Sequence, residues 1–182
     1  MPRLTPLDED RTGSRSGSDQ LTIRISSGSG SGRTRLSAFD SALSAAGVAD
    51  FNLLRLSSVI PPGAAVVEVD RQDQLHGGFG DRLFCVYAVA YASTPLEEAW
   101  AGMAWSRHRD RSGAGLFVEH DGASSATVRH DLEHSLADLG DDRGGDFEPE
   151  GLMLASAQCV AHPVCAVVIA TYRSADWSRY DA

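Results

Sequence analysis

Nothing in the 182 residues approaches the roughly 20 consecutive apolar residues that a membrane-spanning helix needs. The N-terminus is polar and lacks the apolar core of a secretory leader. Positive charge is short as well: 16 basic against 25 acidic residues give a net charge of −9. That balance argues against binding a nucleic-acid backbone, which takes clustered Lys and Arg, while an acidic surface favours a cationic substrate by long-range attraction. Cysteine is scarce. Cys85, Cys159 and Cys165 are odd in number and lack the spacing of a disulfide framework, which reads as a reducing, cytoplasmic setting. These shortages exclude a membrane partner and a nucleic-acid partner. What remains is 42% hydrophobic content in a chain of a length that suits one domain with a real core.

Residues 1–19 are rich in Arg, Asp, Ser and Gly and have nothing to bury, so a disordered tail is expected there. Residues 21–25 alternate and predict a strand with one buried face. The run SSGSGSG at 26–32 reads as a flexible loop, either a plain connector or a backbone cradle for an anion. Residues 36–46 have helical spacing, with Leu36, Phe39, Leu43 and Ala46 on one stripe and Gly47 as the stop. Strands follow at 51–59 and 64–69, then a polar, Gly-rich loop at 70–81 and a long strand at 82–93. Residues 99–108 alternate as a strand, and 115–120 form another. Residues 124–139 form an amphipathic helix with Gly140 as its stop, and 141–150 an acidic loop. Strands at 151–161 and 164–172 are joined at His162 and Pro163, and 174–182 is a frayed end. The order strand, helix, strand, strand occurs at 20–69 and again at 115–172. Each helix is a crossover, so each half should hold a locally parallel pair, and two such halves would pack sheet on sheet with helices outside.

The chemistry concentrates at Ser57 and Ser58, two adjacent serines in an apolar strand that Pro61 and Pro62 stop. A serine hydroxyl can attack the carbonyl of the residue before it and turn the peptide into an ester. The ester can leave by β-elimination to dehydroalanine, which hydrolyses to a pyruvoyl group and ammonia. Only Ser, Thr or Cys can begin this, and a donor aimed at the developing oxyanion promotes it. The Asn52 amide is a candidate for that donor.

The stretch LSAFDSALSAAG at 36–47 with NLLRLSSVIPP at 52–62 resembles the pyruvoyl-dependent arginine decarboxylases. A second match, GLFVEHDG at 115–122, is similar to that family's glutamate-bearing strand, and the resemblance covers about residues 20–173. It implies cleavage between 57 and 58 into a β chain of residues 1–57 and an α chain of residues 58–182. Ser58 would become the covalent pyruvoyl cofactor, with no metal. Ser57 would be the new C-terminus and line the site. Asn52 would assist cleavage. Asp40 would bind a guanidinium by charge-assisted contacts, with Leu43 beside it in the substrate pocket. Glu119 would be the proton donor of decarboxylation, acting after cleavage, so that Glu119→Gln should still cleave. The reaction implied is conversion of L-arginine to agmatine and CO2 through an imine with the pyruvoyl group, an electron sink of the pyridoxal-phosphate kind. The implied fold is α+β, a four-layer α/β/β/α sandwich, and the implied assembly is a homotrimer of cleaved αβ protomers, or a dimer of trimers, with sites between protomers. Residues 1–19, 72–80 and 141–150 depart from the family pattern, and the two loops bear on which basic amino acid is the substrate.

Other readings compete. An uncleaved, non-catalytic trimeric binding protein of the same fold would keep the motifs without the reaction. The run HDLEH at 130–134 matches an inverted zinc-protease pattern, but helical geometry puts His130 and His134 opposite the apolar stripe, toward water. Cys159, His162 and Cys165 are too few for a structural zinc site and read as core residues in a hairpin. His76 reads as a loop residue.

Overall fold

The computed structural model describes residues 20–178. The expected tail at 1–19 and the end at 179–182 lie outside them. Among the described residues, nine strands form two sheets, flanked by two helices. The first sheet has the order β2-β5-β9-β1-β4, with β1 (Thr22–Ser31), β2 (Asn52–Arg55), β4 (Ala65–Glu68), β5 (Arg82–Ala92) and β9 (Val164–Ala175). The second has the order β3-β7-β6-β8, with β3 (Val59–Ile60), β6 (Glu98–His108), β7 (Gly115–Gly122) and β8 (Phe147–Gln158). Helix α1 (Arg35–Ala46) covers the first sheet and α2 (Ser125–Asp141) the second. The result is the α/β/β/α sandwich.

Strand alternation builds the layers. In β9, Ala166, Val168 and Ala170 face the other sheet, while Cys165, Val167 and Ile169 face α1. In β6, Ala99, Ala101, Met103 and Trp105 enter the same inter-sheet core, and Trp100 and Ala104 pack under α2. The alternation expected at 99–108 is therefore the observed one.

The Ser/Gly run expected to be a loop is the second half of β1, paired antiparallel with β9 from Ser26 to Ser31. Its glycines serve close approach rather than flexibility. A Cβ on Gly28 would stand 2.2 Å from the Ala42 carbonyl oxygen, and one on Gly30 would stand 2.5 Å from the Ala42 nitrogen. Helix α1 thus lies directly on the strand backbone. The Ser26 hydroxyl donates to the Ala46 carbonyl at 2.8 Å, Gln74 Nε2 donates to Ser26 Oγ at 2.7 Å, and Thr171 Oγ1 donates to Gln74 Oε1 at 2.8 Å.

Other boundaries differ too. The stripe of α1 is rotated: Ala38, Ala42, Leu43 and Ala46 are buried, whereas Leu36 is 75% exposed. The small residues win because only they fit against β1. Gly47 does end α1, at φ 86°. Gly140 does not end α2. It packs against Phe147, and α2 ends one residue later at Asp141, with Asp142 a right-handed cap and the left-handed Gly144 and Gly145 in the turn beyond. The second half lacks a neighbouring parallel pair, since β7 and β8 flank β6, each antiparallel to it. In the first half β1 and β4 are parallel neighbours. The halves also exchange strands, with β3 joining the second sheet and β9 the first. The end expected to fray at 174 stays ordered through β9, and Trp177 Nε1 donates to the Gly80 carbonyl at 2.8 Å.

Candidate active site

The strand expected at 51–59 is two strands. β2 runs on the edge of the first sheet, parallel to β5, and β3 on the edge of the second, antiparallel to β7. Leu56, Ser57 and Ser58 form the step between sheets. The step has a physical signature: Ser58 has φ 41°, in the left-handed region a side chain disfavours. Such a conformation costs on the order of 1–3 kcal/mol and persists only where its surroundings hold it. Here the Phe117 N–H donates to the Ser58 carbonyl at 2.8 Å, and the Leu56 N–H donates to the Cys85 carbonyl at 2.8 Å. Just beyond, the Tyr172 hydroxyl donates to the Val59 carbonyl at 3.0 Å.

The Ser58 hydroxyl donates to Glu119 Oε1 in a short hydrogen bond. Glu119 sits on β7 with Phe117, whose ring enters the inter-sheet core, so it faces the gap between the sheets at their common edge. Its side chain is 15% exposed, and Arg55 Nη2 lies 3.9 Å from Oε2. Arg55 is half exposed, with its guanidinium 5.0 Å from the Tyr87 ring centroid. At that distance and exposure the pair is a weak one. Burial first, then the Glu119 charge, pushes the Tyr172 phenol well above its ordinary range, with Arg107 partly offsetting them. Tyr172 therefore stays a neutral donor beside the carboxylate.

Ser57 is exposed at the step. The protomer does not bring the other expected residues there. Asn52 opens β2, five residues before Ser57, or about 16 Å of extended chain. Its Nδ2 donates to the Gly80 carbonyl at 2.5 Å. Asp40 is exposed on α1, on the far side of the first sheet from Glu119. Leu43 is 6% exposed in the core beneath α1. Among the described residues, no set of three or more His, Cys, Asp or Glu is placed to hold a metal ion. His130 and His134 stack on the outer side of α2 with ring centroids 4.0 Å apart. Cys159 and Cys165 are buried, and His76 is an exposed loop residue. Sequence reasoning missed Arg55 and Tyr172. Arg55 lay inside the motif, but nothing local marks Tyr172.

A family model for pyruvoyl-dependent arginine decarboxylase matches residues 22–174. The chain belongs to the pyruvoyl-dependent arginine decarboxylase family. A relative of that name from Halobacterium salinarum is 37% identical over 161 residues, covering 85% of this chain and 95% of the relative. Others from Methanococcus vannielii and Methanocaldococcus jannaschii are 28% and 29% identical, covering 82% and 77% of this chain and 88% and 78% of their own lengths. The site fits the group the family name implies. A pyruvoyl group needs a hydroxyl residue at a strained junction with a proton acceptor in reach, and Ser58 has φ 41° and a carboxylate on its hydroxyl. The alternative source of a carbonyl for amine chemistry, a cofactor held on lysine, has no anchor, because the chain contains no lysine.

Proposed function

We propose that the protein is a self-processing carboxy-lyase that converts L-arginine to agmatine and CO2 with a pyruvoyl group made from its own Ser58. The observation that carries the reading is the Ser58–Glu119 hydrogen bond at a backbone step between two sheets. In the cleavage, Ser58 Oγ attacks the Ser57 carbonyl carbon, and Glu119 accepts the hydroxyl proton. The acyl group passes from nitrogen to oxygen. Elimination then frees the Ser57 carboxylate, and water replaces the nitrogen as ammonia. Strain at Ser58 is relieved when the bond breaks. We infer that Glu119 acts in cleavage as well as after it, a reading supported by its hydrogen bond to the attacking hydroxyl.

Once formed, the pyruvoyl group supplies the electron sink for decarboxylation of an α-amino acid. The residues around it keep defined tasks. Glu119 delivers a proton from within the gap between the sheets. The Phe117 N–H holds the carbonyl derived from Ser58, and Tyr172 fixes the start of β3. Ser57 lines the site as a free C-terminus.

Arginine recognition then falls to Asp40. In one protomer Asp40 lies across the first sheet from Ser58, so it would serve the site of a neighbouring copy, and Asn52 would assist cleavage there in the same way. Leu43 is committed to its own core, which limits it to backing the pocket. A trimer supports this division, with the exposed edge strip Leu54, Leu56 and Val59 as the surface a neighbour would cover. Cytoplasmic residence follows from the reducing setting that the cysteines suggest.

The experiment is release of CO2 from carboxyl-labelled arginine, with agmatine measured in parallel. Stoichiometric agmatine and CO2 are expected, and Asp40→Asn should raise KM far more than it lowers kcat. Release from lysine or ornithine at equal efficiency would contradict arginine as the substrate. No release from any basic amino acid by an intact chain would favour the non-catalytic binding protein.

A further inference from the structure

On the outer face of the second sheet, a cavity of about 640 Å³ lies under the C-terminal half of α2. That volume is in the range of small-molecule sites. Its walls are apolar: Ala104 of β6, Leu136 and Ala137 of α2, and Phe147 and Leu152 of β8. The cavity lies beside an irregularity in the pairing of β6 with β8. Trp105 pairs with Gly151 but Ser106 pairs with Pro149, leaving Glu150 outside the register. In one wall is Ser106, 2% exposed, whose Oγ has no hydrogen-bond partner. It shares a strand face with Ala104, which packs under α2. Its register partner Pro149 has no N–H to offer. A buried hydroxyl left unpaired is destabilising, and the great majority of such groups are satisfied.

The mouth is charged. Glu133, Asp141 and Glu150 stand there with Arg129. Glu150 is engaged by Arg107 Nε at 2.7 Å, so even with that pair neutralised the mouth keeps a negative balance, in a protein of net charge −9. We propose that this cavity is a second small-molecule site, taking an amine with an apolar body, an ammonium at the mouth and a neutral hydroxyl or carbonyl paired with Ser106. It is separate from the Ser58 site, which opens between the sheets on the other face of β6 and β7.

The probe is tyramine, an aromatic body with a hydroxyl at one end and an ammonium at the other. Phenethylamine lacks the hydroxyl, and 4-hydroxyphenylacetate carries the opposite charge. Calorimetric titration of the full-length Ser58→Ala variant removes the ketone with which an amine could react, so the result does not depend on the cleavage reading. Saturable tyramine binding is expected, at least about 10-fold tighter than the carboxylate. Adding Ala137→Phe, which fills the cavity, should abolish it. Adding Ser106→Ala should weaken tyramine several-fold and leave phenethylamine unchanged. Glu133→Gln should weaken both amines. Absence of saturable tyramine binding, equal binding of the carboxylate, or binding indifferent to both Ala137→Phe and Ser106→Ala would overturn the site.

Discussion

The α1–β1 seam and the Ser57–Ser58 step lie within one stretch of chain and use the backbone in opposite ways. At the seam, glycines let helix and strand touch, and buried Ser26, Gln74 and Thr171 satisfy one another. At the step, a serine holds a left-handed conformation that glycine would adopt freely, the strand edges are open, and Leu54, Leu56 and Val59 are exposed. The difference teaches where strain can be kept. A costly conformation at Ser58 survives because the Phe117 N–H holds its carbonyl and the Tyr172 hydroxyl holds that of Val59. The seam is built for stability, and the step holds the strain that the proposed cleavage would release.

The largest effect that sharpens this contrast is at the step. Ser58→Ala should give no cleavage and no turnover, with full-length chain on denaturing gels and a fold intact by circular dichroism. Ser58→Gly should also stay uncleaved, yet be more stable in urea than Ser58→Ala, because glycine accepts φ 41° without strain. Equal stability of the two would remove strain from the account. Next comes the seam. Gly28→Val would place side-chain atoms against the α1 backbone, and a loss of about 3 kcal/mol or more is expected from the displaced helix. A loss under about 1 kcal/mol in chemical unfolding would mean that the seam is not close-packed.

Glu119→Gln follows. It keeps a hydrogen-bonding partner for Ser58 but cannot take the proton, so cleavage should slow by about 100-fold. Full cleavage at the normal rate would confine Glu119 to the later reaction. The smallest effect concerns alkaline stability. Burial pushes the Cys85 thiol up to about 12 from an ordinary 9.0, partly offset by Arg55 and a backbone hydrogen bond, and pushes Cys165 to about 11, partly offset by Arg35. The folded state therefore keeps protons that the unfolded chain releases. This contribution is complete below pH 9 and is lost as pH rises from 9 toward 12, by about 1 kcal/mol for Cys85 at pH 10. Cys85→Ala should flatten the decline in melting temperature over that window, and an unchanged slope would refute the assignment.

Much of this was legible in the residues, for reasons that can be named. Ser57 and Ser58 stood out because few side chains can attack their own backbone, and Glu119 does meet that hydroxyl. The strand at 99–108 was readable because alternation maps directly onto the two faces of a sheet. The Ser/Gly run was misread because composition cannot distinguish glycine that flexes from glycine that admits a helix. The break between β2 and β3 was hidden for a similar reason, since an apolar run looks alike whether it continues in one sheet or steps to another. Tyr172 was invisible because its role depends on Val59, more than a hundred residues earlier. Asp40 and Asn52 could be named from the motif, but a single protomer does not carry them to Ser58.

The most direct test of the central claim is the intact mass of the purified full-length protein. Two chains are predicted, ending at Ser57 and beginning at position 58, whose masses together exceed the encoded chain by one water less one ammonia, and the larger chain should gain hydrogen on borohydride reduction of its ketone. A single species with the encoded mass, unchanged by prolonged incubation and inert to borohydride, would contradict it.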